Sequence, residues 1–219
     1  TNGDVTAGDH VFSLSVLTPT GPEGTIFTLP FSAGDAQAHT ATGNITLTTD
    51  GAGDTIATAS KKGNAAASIT GVLGTSDVDM FAICVGDPNN FAASTYPGTT
   101  FDTQLFLFNT DGMGVSFDDD SGGTLQSTIT GQFITETGDY LIAVSGYDND
   151  PLDASGAALW ADQPFGTERQ PDGPGAANAV ASWSGGGANG TYTLAFTGTC
   201  YPGPSNNCVA DVDDGVLGA

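Results

Sequence analysis

The sequence predicts an all-β antiparallel sandwich with an N-terminal strand arm and a long loop insertion. Three observations carry that prediction. Short β-prone runs recur along the chain: Met80–Val85, Phe91–Thr95, Phe101–Phe108, Met113–Phe117, Leu125–Thr130, Tyr140–Ser145 and Tyr192–Thr197. Gly, Asp, Asn and Pro turns separate them, with no helical period between, a pattern of sandwiches and barrels rather than βαβ units. The run from Phe101 to Asp120, FDTQLFLFNTDGMGVSFDDD, also places an Asp-Gly step between two apolar runs. That is a strong local hairpin signal, because Gly tolerates the positive φ of tight primed turns.

The first fifty residues read as separate strands. In His10–Thr18, Phe12, Leu14 and Val16 alternate with Ser13 and Ser15, the period of a half-buried strand. Ile26–Phe31 and Asn44–Thr49 are two further strand candidates. A terminal strand of this kind can pair at home or complete the sheet of a neighbouring subunit. On Phe101–Phe108, Phe101, Thr103, Leu105 and Leu107 share one face, and Asp102, Gln104, Phe106 and Phe108 share the other. Both faces turn apolar toward Phe108, so this strand is expected inside a two-layer β structure rather than facing solvent. Tyr140, Ile142 and Val144 likewise oppose Leu141 and Ala143 in a core strand.

Five segments in order carry a family resemblance: the acidic turn with DTIATA, then ITGVLGTSDVDMFAI, FDTQLFLFNTDGMGVSFDDDSGG, TETGDYLIAVSGYD and GTYTLAFTG. Together, from about Asp50 to Gly198, they resemble the bacterial pre-peptidase C-terminal (PPC) domain family. The resemblance implies a jelly-roll-like β-sandwich without an active site of its own, binding Ca²⁺ in some members, appended to secreted enzymes or built into surface proteins. The chain departs from the family pattern at residues 148–190, where a short link would precede the last strand.

The resulting division is an arm over residues 1–49, a PPC-like sandwich over 50–199 with the insertion at 148–190, and an acidic tail over 200–219. Loops as long as this insertion are usually functional or disordered. It carries both tryptophans, Trp160 and Trp183, and the only arginine, Arg169. Exposed, the tryptophans would form a sugar-stacking or protein-binding platform; buried, they would pin the loop onto the sandwich. In the tail, Cys200 and Cys208 bracket YPGPSNN, a bend suited to a disulfide, while Cys84 lies in an apolar run as a buried small hydrophobe. CVADVDDG resembles the opening of dockerin-like segments, without the ligand spacing or closing Glu of a calcium loop.

Three Lys+Arg against 25 Asp+Glu give a formal charge of −22. That balance argues against nucleic acid and anionic membranes, which require basic patches. Only Glu23, Glu136 and Glu168 are glutamates, so the acidity is nearly all Asp, a residue of turns and metal-binding loops. Ca²⁺ takes six to eight oxygens from such loops. The candidate ligands are Asp118, Asp119 and Asp120 with Asp102, then Asp148, Asp150 and Asp153 with Asn149 able to help, then Asp50 with Asp54, and Asp77 with Asp79. Three consecutive aspartates cannot all point one way, so at most two of Asp118–Asp120 would share a site. For each cluster the alternative is side-chain capping of turns.

Catalysis has little to draw on. His10 and His39 are the only histidines, neither in a motif, and no nucleophile elbow, zinc-type Cys pair or phosphate-cradling loop occurs. The expectation is a secreted, extracellular or cell-surface protein that is not an enzyme. It would be structurally stabilised by Ca²⁺, self-associating or matrix-bound, and able to form filaments by terminal strand addition. The alternative is an accessory carbohydrate- or protein-binding module of a secreted hydrolase.

Overall fold

A computed structural model describes residues 26–34, 40–48, 52–61, 67–121 and 125–200. The chain divides into two compact units, Thr1–Thr49 and Asp50–Ala219. In the first, β1 (Ile26–Gly34) and β2 (Thr40–Thr48) pair antiparallel, Ile26 opposite Thr48 and Gly34 opposite Thr40. The strands expected here as separate elements therefore pair with each other. The expected assembly strand, with Phe12, Leu14 and Val16, lies outside the described residues.

The second unit is an all-β sandwich. Its larger sheet has β3 (Ser60–Lys61), β5 (Val78–Val85), β10 (Gly138–Gly146), β7 (Thr103–Asn109) and β8 (Gly114–Asp118), in that spatial order. Its smaller sheet has β4 (Ser68–Leu73), β13 (Gly190–Thr197), β6 (Ala92–Ser94) and β9 (Thr128–Thr130). All pairings within these sheets are antiparallel except the two-residue contact of β3 with β5. The β7–β8 hairpin forms where the Asp-Gly step predicts it, through a wider turn than a two-residue primed one: the Gly112 amide donates to the Asn109 carbonyl at 3.0 Å and the Asn109 amide to the Met113 carbonyl at 2.9 Å. Gly112 takes φ +82°, and the Asn109 side chain accepts from the amides of Asp111 and Met113 at 3.0 and 2.9 Å.

Alternation along the central strands sends side chains into two separate cores. Phe81, Ile83, Leu105, Leu107, Ile142 and Val144 meet Ile69, Ile129, Tyr192 and Leu194 of the smaller sheet. At the seam Tyr192 lies over Gly71, its cross-strand partner, where even an added Cβ would fall 2.3 Å from the phenol oxygen. Its hydroxyl donates to Asp79 at 2.6 Å across the sandwich, giving a buried carboxylate a strong donor.

On the opposite face, Met80, Phe106, Phe108, Phe117, Leu141 and Ala143 would be exposed in a two-layer protein. Leu159, Trp160 and Val180 cover them instead. These belong to the insertion, held near its ends by β11 (Pro151–Leu152) paired with β12 (Ser182–Trp183). The central sheet is thus the middle of three layers, which is why β7 is apolar on both faces. The insertion also guards the edge strand β8. Phe117 and Arg169 exchange two backbone hydrogen bonds of 3.0 Å, and Met113 bridges to Ala179. Glu168 accepts 2.6 Å bonds from Ser116 on β8 and Thr130 on β9, tying the two sheets together. An edge so occupied offers fewer free backbone groups to another chain.

The disulfide differs from the expected one. Cys84 bonds to Cys200, with Cα atoms 5.3 Å apart, so Cys84 is no free buried hydrophobe and Cys200 does not pair with Cys208. The reason is topological. After β13 the chain turns at Gly198 and runs beside the end of β5, where Val85 bridges Thr199 and the Cys200 amide donates to the Cys84 carbonyl at 2.8 Å. Cys208 lies outside the described residues.

Candidate functional site

The open end of the β7–β8 hairpin gathers three carboxylates. Asp102 precedes β7, and Asp119 and Asp120 follow β8. One oxygen from each lies within 4.8 Å of the others. The register explains the selection. Leu105 faces Asp118 and Phe106 faces Phe117, so Asp118 falls on the inter-sheet side, while Asp102 and Asp119 fall on the side of the insertion. Asp118 is satisfied there in part, accepting from the Thr128 amide at 2.6 Å and the Ser121 amide at 3.3 Å.

Asp119 is fully buried, and neither carboxylate oxygen has a hydrogen-bond partner; one oxygen each of Asp102 and Asp120 is equally unpartnered. Burial, reinforced by the charges of Asp120 and Asp102, pushes the Asp119 carboxyl up to about 8. Burial, with Asp120 beside it, raises Asp102 to about 6. Burial also raises Asp118 to about 6, against its hydrogen bonds from Ser121 and Thr128. Unpaired buried charge of this kind costs free energy unless a proton or a cation offsets it.

The site is framed by the insertion. The Asp120 amide donates to the Phe165 carbonyl, and the Tyr147 amide to the Asp102 carbonyl, both at 3.2 Å. Between them Gln104 accepts from the Asn149 amide at 3.3 Å and donates to Asp150 at 3.2 Å. Buried Asn149 donates in turn to the Asp77 carbonyl and accepts from the Gly185 amide, locking both ends of the insertion to the start of β5. Asn149, expected to help its aspartate neighbours hold a cation, is taken up by these backbone hydrogen bonds, and Gln104 escapes a reading by residue type; its one signal is its place between Asp102 and Phe106 on one strand face.

The other expected ligands are placed differently. Asp153 forms a turn: its carboxylate accepts from the Ser155 hydroxyl and amide, the Ala157 amide and the Asn178 side chain at 2.6–2.9 Å. These donors, led by Ser155, hold its carboxyl down at about 2. Asp148 is exposed at φ +68°, and burial raises Asp150 above the usual carboxylate range. The grouping of Asp148, Asp150 and Asp153 therefore gives way to an Asx-type turn with two flanking carboxylates. Asp77 caps the turn from Gly74 at 2.7 Å, and Asp79 serves Tyr192, so this pair is likewise committed to hydrogen bonding rather than to one shared site. The Asp54 carbonyl accepts from Trp183 at 2.8 Å; Asp50 lies outside the described residues.

Both tryptophans pack against the central sheet. Trp160 is 4% exposed and packs on Phe106, Phe108 and Phe117 with centroids 5.4–5.8 Å apart. Trp183 is partly buried, edge-on to Phe106 and Phe108, with one side on an open cleft beside Ile56 and Val180. Their aromatic surface stabilises more when buried against the sheet than when left in water. Arg169 belongs to the same packing. Its guanidinium sits 5.1 Å over the Phe117 ring, pairs with Asp172 at 2.9 Å and donates to the carbonyls of Ala161 and Gln163.

Comparison with protein-family models, curated proteins and solved structures gives no match for this chain. Among the described residues, no helix is long and apolar enough to cross a membrane. The disulfide is of the kind that persists in oxidising, extracellular surroundings.

Proposed function

We propose that this chain is a secreted, non-catalytic β-sandwich of PPC-like type, stabilised by calcium and serving as an extracellular structural or adhesive subunit. The observation that carries the reading is the use made of the insertion. The segment best placed to bind a partner spends Leu159, Trp160 and Val180 on the sheet beneath it. The same segment occupies the β8 edge. Such an arrangement favours endurance over chemistry, and the Cys84–Cys200 bond serves the same end. The accessory carbohydrate module has no support at buried Trp160 and would have to use Trp183, which lines an open cleft.

Assembly is proposed to use the amphipathic strand around Phe12–Val16, added to the sheet of a neighbouring subunit. Electron micrographs of full-length protein and of a form lacking residues 1–20 test this. Fibres from the full chain and folded, unpolymerised truncated protein are expected. Fibres from both would rule out strand exchange through this arm, and dispersed particles from both would remove the fibre-forming subunit.

A further inference from the structure

We infer that Asp102, Asp119 and Asp120 form a single binding site for a hard divalent cation, Ca²⁺ foremost, and that the bound cation clamps the insertion onto the open end of the β7–β8 hairpin. The inference rests on the calcium-stabilised reading above only in taking Ca²⁺ as the natural ion.

An acidic cluster alone would carry little weight. Here the second observation is Asp119, whose side chain is fully buried with both oxygens lacking a protein donor. Buried carboxylates in this protein otherwise acquire donors: Asp153 from Ser155, Ala157 and Asn178, and Asp79 from Tyr192. Asp119 instead lies beside Asp102 and Asp120, each of which brings one oxygen into the trio and has one oxygen without a protein donor. Oxygens bound to one Ca²⁺ at about 2.3–2.6 Å lie no more than about 5 Å from one another. The oxygens of this trio, all within 4.8 Å of one another, fall inside that limit. The donor set is oxygen only, which selects Ca²⁺ over softer ions that favour nitrogen or sulfur.

The consequence for the insertion follows from what brackets the site. Asp102 accepts through its carbonyl from the amide of Tyr147, the residue that leads into the insertion. Asp120 is bonded through its amide to Phe165, midway along it. Tyr147 and Phe165 meet edge to face, with centroids 5.8 Å apart. Drawing Asp102 and Asp120 together on one ion thus fixes both points of the insertion. Mutual repulsion of three bare carboxylates would loosen both.

The test is calorimetric titration of the full chain with CaCl₂, alongside thermal melting with CaCl₂ or with EDTA at matched ionic strength. Asp119→Asn is compared with the wild type and with Asp139→Asn, an exposed control. Wild type and D139N are expected to bind one Ca²⁺ and melt higher with it. D119N is expected to lose at least about 100-fold in affinity, since even supporting residues of metal sites cost about 10–100-fold. In EDTA, D119N should melt no lower than wild type, because it replaces a buried carboxyl that has no protein donor. Calcium should also slow hydrogen exchange at the Asp120 and Tyr147 amides in wild type and leave D119N unchanged. A calcium-dependent melting shift that persists in D119N would overturn this site while leaving a calcium-stabilised module standing. Wild type indifferent to calcium would overturn both. Equal exchange with and without calcium, despite binding, would overturn the clamp.

Discussion

One face of the β7–β8 hairpin behaves as two different materials. Toward the Asn109–Gly112 turn, Phe106, Phe108 and Phe117 lie under Trp160 and Trp183, and the insertion packs there by shape. Toward the open end, Asp102 and Asp119 occupy the same face, and the insertion touches it through backbone hydrogen bonds beside unpartnered carboxylates. The alternation that places Phe106 under the cap places Gln104 and Asp102 under it too. A loop can therefore be anchored permanently at one end by apolar contact and conditionally at the other by charge. The difference teaches that burial of a face does not by itself say what holds its cover.

The largest effect should come from the apolar end. Trp160→Ala removes the ring that contacts three phenylalanines and should destabilise the protein by about 3–5 kcal/mol in urea unfolding, with or without calcium. A cost under 1 kcal/mol would mean that the ring is not needed to hold the insertion down. The opposite face supplies a smaller reference. Tyr192→Phe deletes the donor to Asp79 and should cost about 1–3 kcal/mol, equally in calcium and in chelator.

The acidic end should reveal itself through pH. Asp119 and Asp102 are raised from an ordinary 3.8 to about 8 and about 6. Between the ordinary value and those values the folded state holds protons that the unfolded chain releases. Stability in chelator should therefore fall as pH rises from about 4 to about 8. Melting temperatures across that range check it, and a flat profile would place the two ends on the same footing. The smallest effect is of opposite sign. Asp153 is lowered to about 2, so its contribution is complete above the ordinary 3.8 and is lost as pH falls toward about 2. Asp153→Asn should flatten that acid limb alone.

Much of this architecture was legible in the chain. The Asp-Gly step placed β7 against β8, and the two-sided apolarity of Leu105 to Phe108 marked a buried strand, though a two-layer reading covers only one of its faces. Periodicity could not say that the cover on one side is a loop, because residues such as Leu159 and Val180 follow no strand or helix period. The tryptophans were visible as anchors or as a platform, and only packing decides between them. Among the aspartates, residue type treats Asp153 and Asp119 alike, while hydrogen-bond donors set them apart. The Cys84–Cys200 bond was missed for a related reason. A short Pro/Gly bend between Cys200 and Cys208 is a local signal, and the meeting of β5 with the chain after β13 is created by long-range topology.

That covalent bond has a mechanical meaning. Cys84 and Cys200 are 116 residues apart in sequence, and the loop they close contains the hairpin, the carboxylate trio and the whole insertion. A pull applied to the chain before β5 and after β13 would pass through the sulfur atoms and bypass everything enclosed. Only chain outside the loop, ahead of Cys84 or beyond Cys200, could lengthen under load, so the enclosed part would act as a knot of fixed length in a tensioned thread.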